Sequence, residues 1–274
     1  MNISMQPHNF KTTGTVRQPM LDGNNMSRWF YTPRPLERPL LRLYCFPYAG
    51  GGASVFREWP ALLPDRVELQ ALTLPGRGAL SDERPVSDLR LLSRQIATLV
   101  TLQTDVPFAF FGHSMGAMLA FETARELRRR GAKLPVHLFL SACHAAHRFG
   151  EGRITVEDMN DEEFIRHLSR LAGTPATILD DQRLMETLLP MLKADFMALD
   201  RWRYVADRPL QIPITAIHGR EDTEVQADGV CDWQRHTNTK FNFTTVAGNH
   251  FFIQNSKQAV VRLIVNSLED DAWL

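Results

Sequence analysis

The 274-residue sequence predicts an α/β fold: a mostly parallel central sheet flanked by helices on both faces, with a helical insertion. Three observations predict it. Short apolar runs rich in branched and aromatic residues alternate with stretches whose apolar residues recur at helical spacing. One run, residues 108–111, passes through a glycine-bounded turn directly into such a helical stretch. From about residue 145 to residue 208 the alternation lapses, leaving two helical patterns and no strand pattern.

Taken in order, residues 1–27 mix polar groups with Pro and Gly and read as a flexible tail, without the apolar stretch of a secretory signal. Residues 28–274 form one expected domain, with strands at 40–46, 67–74, 108–111, 136–141, 212–218 and 241–246. Met118, Leu119, Phe121 and Leu127, followed by a basic end and Gly131, place a helix over 115–130. Val260, Leu263, Ile264 and Leu268 repeat the spacing near the C-terminus. The insertion at about 145–208 carries helical patterns around 164–171 and 184–199, and its place after a strand's carboxyl end would set it over the sheet as a lid.

The 31 basic and 31 acidic side chains cancel, so no net field draws the protein to nucleic acid or an anionic membrane. No run approaches the roughly 20 apolar residues of a membrane-spanning helix. Cys45, Cys143 and Cys231 stand far apart, without metal-ligand or disulfide-scaffold spacing, which fits a reducing cytoplasm.

The turn after residues 108–111 reads Gly112-His-Ser-Met-Gly116 and leads into a helix, the G-x-S-x-G elbow in its strand-turn-helix setting. Ser114 is therefore the candidate nucleophile. A serine needs a base, and in this setting the order is Ser, acid, His. Of nine histidines, His250 lies in a loop directly after the 241–246 strand, whereas His236 sits in a helical stretch and is expected to face solvent. The strand at 212–218 empties into Gly219-Arg-Glu-Asp222, making Asp222 the chosen acid, with Glu221 and Glu224 as competitors. Two backbone N–H groups are needed for an oxyanion: Met115, next to the nucleophile, and one from Pro47-Tyr-Ala-Gly-Gly-Gly52, where Ala49 is the choice and Gly50 the runner-up. The glycine run lacks both the Lys-Ser/Thr ending of a phosphate loop and dinucleotide-site spacing.

From Trp29 to Leu268 the chain resembles the type II thioesterases that accompany nonribosomal peptide and polyketide synthases. The likeness rests on Phe46-Pro-Tyr-Ala-Gly-Gly51, Leu74-Pro-Gly-Arg-Gly78, Gly112-His-Ser-Met-Gly116 with Phe121-Glu122, Leu192-Lys-Ala-Asp-Phe196, Gly219 to Asp222, and Gly248-Asn-His-Phe251. A departure is Leu80, near where the family often carries a second arginine. The resemblance implies an α/β-hydrolase fold and hydrolysis of acyl thioesters held on the phosphopantetheine arm of a carrier protein, with no metal or cofactor of the enzyme's own. It places the triad on Ser114, Asp222 and His250 and the oxyanion amides on Ala49 and Met115. Tyr48, Gly50, Asp195 and Phe196 become candidate substrate contacts, with core packing the competing role of Phe196. The expected partner is an acyl or peptidyl carrier protein, met by Arg77 or basic lid residues, and the enzyme is expected to be a cytoplasmic monomer. The rival readings are a general esterase or lipase and a non-catalytic binding protein on the same fold.

Overall fold

A computed structural model describes residues 23–103, 105–150, 154–171, 173 and 176–274. Residues 1–22, most of the expected tail, lie outside them. The tail's expected last residues are instead helical, in α1 (Gly23–Trp29), which runs into β1 (Phe30–Tyr31).

The sheet contains β1, β2 (Leu41–Phe46), β3 (Val67–Leu72), β4 (Phe108–His113), β5 (Leu138–Ser141), β6 (Ile214–Gly219) and β7 (Phe241–Val246). Among the described residues its order is β1-β3-β2-β4-β5-β6-β7. Every neighbouring pair is parallel except β1 with β3. The expected strands are all present, with small shifts at their ends. β6 begins after Pro213, which has no N–H to give to a ladder. β4 runs two residues past the expected 111, because Gly112 and His113 still pair with Leu140 and Ser141.

Side chains alternate between the two faces of the sheet. In β4, Phe108 and Phe110 pack into a core with α2 (Leu89–Thr101) and α3 (Met115–Arg129). Ala109 and Phe111 pack on the other face, against the C-terminal helix Lys257–Asp270. Both faces are dry, which is why the strands read as continuous apolar runs. Between β5 and β6 stand α4 (Asp161–Leu171), α5 (Ala176–Leu179) and α6 (Gln182–Arg201). They share an apolar cluster of their own, built from Phe164, Leu168, Leu189, Leu192 and Phe196, against which Ala49 packs.

The strand order sets the position of the site. The chain leaves β2 toward β3 on one side and returns to β4 on the other, so the loops after β2 and β4 diverge and leave a crevice at their carboxyl ends. Ser114 follows β4, residues 47–52 follow β2, Asp222 follows β6 and His250 follows β7.

Candidate active site

Ser114 sits at φ 55°, ψ −117° at the N-terminus of α3, a conformation that non-glycine residues adopt at a cost of about 1–3 kcal/mol. Its N–H donates to the Ser141 carbonyl at 2.8 Å, and its own carbonyl accepts the Ala117 N–H at 3.0 Å, so the turn is held on both sides. The two glycines are there for room. A Cβ on Gly112 would lie 2.2 Å from the Gly116 carbonyl oxygen, and one on Gly116 would lie 2.1 Å from that of Phe46.

The hydroxyl thus raised meets the His250 ring, whose Nε2 is 3.0 Å from Ser114 Oγ. His250 Nδ1 is 2.9 Å from Asp222 Oδ2. The other Asp222 oxygen accepts N–H groups from Glu224 at 2.9 Å and Val225 at 3.2 Å. Burial alone would raise the Asp222 pKa, but the His250 ring and these two amides outweigh it, holding the carboxyl below its usual range. The side chain is wholly buried.

The competing acids do other work. Glu221 accepts the Gly248 N–H and its amide donates to the Gly248 carbonyl, so it pins the loop that carries His250. Glu224 turns its amide to Asp222 and lines the cavity.

His113, inside the elbow, has a role that the sequence pattern does not reveal. It is fully buried, with Nε2 2.8 Å from the His250 carbonyl and Nδ1 2.9 Å from Ser141 Oγ. A carbonyl only accepts, so Nε2 carries the proton and Nδ1 accepts from the serine hydroxyl. Burial and the neighbouring His250 push its pKa down to about 3, so it is a neutral brace between β4, β5 and the His250 loop.

Ser114, Met115, Ala49, Tyr48, Phe196 and His250 all line one cavity of about 220 Å³ beneath the insertion. A second cavity, about 200 Å³ and lined mainly by apolar residues of the insertion, adjoins it and shares Tyr48, Ala49, Phe196 and Phe251. Gly50 lines only the second cavity, and its N–H donates to Asp195 Oδ2 at 2.7 Å, whereas Ala49 lines both cavities. Asp195 lines neither cavity. It forms a bidentate pair with Arg77, at 2.6 and 2.7 Å, and Arg77 also donates to the Gly51 carbonyl at 2.7 Å.

Two expectations are corrected. Arg77 is not displayed for a partner, because its side chain is buried against Asp195. His236 does not face solvent: it is buried beside Phe121 and Trp233, with Nε2 2.9 Å from His147 Nδ1, and burial lowers its pKa to about 4. Among the described residues, no group of three or more His, Cys, Asp or Glu could hold a metal ion, and no helix is long and apolar enough to cross a membrane.

The thioesterase domain model matches residues 41–268, which include the elbow, the Asp222 loop and the His250 loop. The chain belongs to the thioesterase family. This thioesterase is 36% identical over 245 residues to the gramicidin S biosynthesis protein GrsT of Aneurinibacillus migulanus, covering 89% of this chain and 95% of that one. A solved structure of the type II thioesterase BorB from the borrelidin biosynthetic cluster superposes with a TM-score of 0.80 at 33% identity, over 88% of this chain and 98% of that one. YbtT, the type II thioesterase of the yersiniabactin pathway, superposes at 0.78 with 30% identity, over 87% and 97%. The thioesterase therefore has the α/β-hydrolase fold of type II thioesterases and is a hydrolase of thioesters.

Proposed function

We propose that this thioesterase edits a nonribosomal peptide or polyketide assembly line, hydrolysing acyl or aminoacyl groups from the phosphopantetheine arm of a carrier protein through a Ser114–His250–Asp222 triad. One observation carries the chemistry: an unbroken relay, Asp222 Oδ2 to His250 Nδ1 at 2.9 Å and His250 Nε2 to Ser114 Oγ at 3.0 Å, opening on a cavity lined by Ala49 and Met115. The likeness to GrsT, BorB and YbtT, over 87–89% of this chain, supports the carrier-bound substrate and the assembly-line setting.

The steps follow from the geometry. Asp222 accepts from Nδ1–H, so Nε2 is unprotonated and takes the Ser114 proton as the hydroxyl attacks the thioester carbonyl. The oxyanion forms against the Ala49 and Met115 amides, at the N-terminus of α3, whose dipole favours negative charge. As the C–S bond breaks, the imidazolium returns its proton to the thiolate. Water, deprotonated by the same ring, then attacks the acyl-serine ester; the acyl C–Oγ bond breaks as the ring returns its proton to Ser114 Oγ, and the acid leaves. The phosphopantetheine belongs to the substrate, so the enzyme uses no cofactor of its own. Residues 145–208 act as the lid, and the enzyme works as a monomer in the cytoplasm.

Comparing kcat/KM for acyl-loaded carrier proteins with that for p-nitrophenyl esters of the same acids tests this reading. It expects the carrier thioesters to be strongly preferred and Ser114→Ala to abolish turnover. Equal rates on free esters would instead make the protein a general esterase.

A further inference from the structure

The loop that offers Ala49 is a tight turn. The Gly51 N–H donates to the Tyr48 carbonyl at 2.9 Å, and Gly50, third of the four residues, has φ +79°. That is a type II turn, which differs from type I by rotation of its central peptide, here the one joining Ala49 to Gly50. Glycine tolerates either form, so the turn does not choose by itself.

The choice is made from outside the loop. Asp195, on α6 and 145 residues away in sequence, accepts the N–H of that central peptide at 2.7 Å. Rotating the peptide would remove this bond and bring the Ala49 carbonyl toward a carboxylate; the Ala49 N–H belongs to the preceding peptide, whose Tyr48 carbonyl accepts the Gly51 N–H, so the clamp acts on it by holding the whole turn in place. Arg77 completes the clamp, with its guanidinium on both Asp195 oxygens and on the Gly51 carbonyl. The pair is almost wholly buried, with side-chain exposures of 9% for Arg77 and 3% for Asp195, so water does not weaken it. Leu192, one turn earlier on α6, presses on the same loop: a Cβ on Gly50 would lie 2.5 Å from its Cδ2.

Resting on the acyl-transfer reading above, we infer that Asp195, held by Arg77, is a positioning residue: from the insertion helix it fixes the Tyr48–Gly51 turn and with it the place of Ala49 in the cavity beside Ser114. The loop that offers the Ala49 amide is then held in place by α6. The insertion thereby does more than cover the cavity, because its docking completes the machinery beneath it.

The test uses the full chain, the N-acetylcysteamine thioester of butyrate as substrate, and an alkyl trifluoromethyl ketone as inhibitor. The ketone adds the serine hydroxyl to its carbonyl and presents an oxyanion to the same amides. The double variant Asp195→Leu/Arg77→Met removes both charges and leaves no lone buried ion. Its kcat is expected to fall on the order of a hundredfold to a thousandfold, as for loss of one oxyanion donor. Affinity for the ketone should fall in parallel, with KM nearly unchanged. Asp195→Asn keeps an acceptor for the Gly50 N–H, so kcat and ketone affinity should both fall only about tenfold, the difference between a charged and a neutral acceptor. This variant carries the test if the double variant does not fold.

A folded variant with native kcat and native ketone affinity overturns the inference, as does a raised KM at native kcat, which would make the pair a substrate contact. Turnover by Ser114→Ala, or indifference of the wild type to the ketone, would instead remove the acyl-transfer reading and the inference with it.

Discussion

Replacing Asp222 by Asn changes one atom and should nearly silence the enzyme. Asp222 Oδ1 is claimed by the amides of Glu224 and Val225, which only donate. The Asn amide oxygen must therefore stay on that side, and its NH2 group must take the place of Oδ2, 2.9 Å from His250 Nδ1. A donor there forces Nδ1 to accept, which moves the imidazole proton to Nε2, the atom facing Ser114 Oγ at 3.0 Å. The ring then cannot take the serine proton. Such a tautomer reversal lowers kcat by about 10⁴-fold, or about 5.5 kcal/mol of barrier. Thiol release from an acyl-loaded carrier protein measures it, with a thermal melt to show that the fold is intact. Turnover within about tenfold of wild type, on a folded protein, would show that Asp222 does not orient the base.

Stability should rise with pH between about 4 and 6.5, because His113 and His236 are buried neutral with pKa values near 3 and 4 and charge more readily in the unfolded chain. In that window the unfolded state binds the extra proton, each group contributing about 1.4 kcal/mol per pH unit. Denaturant unfolding of His113→Gln should lose about that much of the slope, and an unchanged slope would contradict it. Gly116→Ala should destabilise the protein by about 1–3 kcal/mol and slow fluorophosphonate labelling of Ser114, although alanine ordinarily favours a helix, because its Cβ would meet the Phe46 and Pro47 carbonyl oxygens at 2.1 and 2.6 Å. A higher melting temperature would refute that packing argument. Phe251 lines both cavities, so Phe251→Ala should join them and shift the kcat/KM preference toward longer acyl chains by about tenfold. An unchanged chain-length profile would rule this out.

The parts of this architecture that are local in sequence are also legible in it. Strand β7 lies at the expected 241–246, since a run bounded by polar loops carries its own limits. Ser114, Asp222 and His250 stand out in the sequence because each follows a strand, and strand ends are what the parallel topology gathers. Helix α2 is not among the sequence expectations, although its signal is local: the Asp88 side chain accepts the Arg90 and Leu91 N–H groups, and Leu89, Leu92, Ile96 and Leu99 repeat at helical spacing. Strand β1 is two residues long on an antiparallel edge, too short to show any period.

Other features have no local signature. The Arg77–Asp195 pair joins segments 118 residues apart, and an arginine in a turn otherwise reads as a solvated charge. His113 and the His250 carbonyl are 137 residues apart, and a backbone acceptor leaves no trace in residue identity. His236 looks like any lone surface histidine until Phe121 and Trp233 are folded over it.

The central claim is that an acyl group passes through a covalent bond to Ser114. Rapid mixing of the enzyme with an acyl-loaded carrier protein, acid quenching and peptide mass spectrometry test it most directly. The account predicts one acyl adduct on the peptide containing Ser114, formed and lost at rates compatible with turnover and absent from Ser114→Ala. Turnover without any adduct at Ser114, or an adduct on another residue with native kinetics, would contradict it.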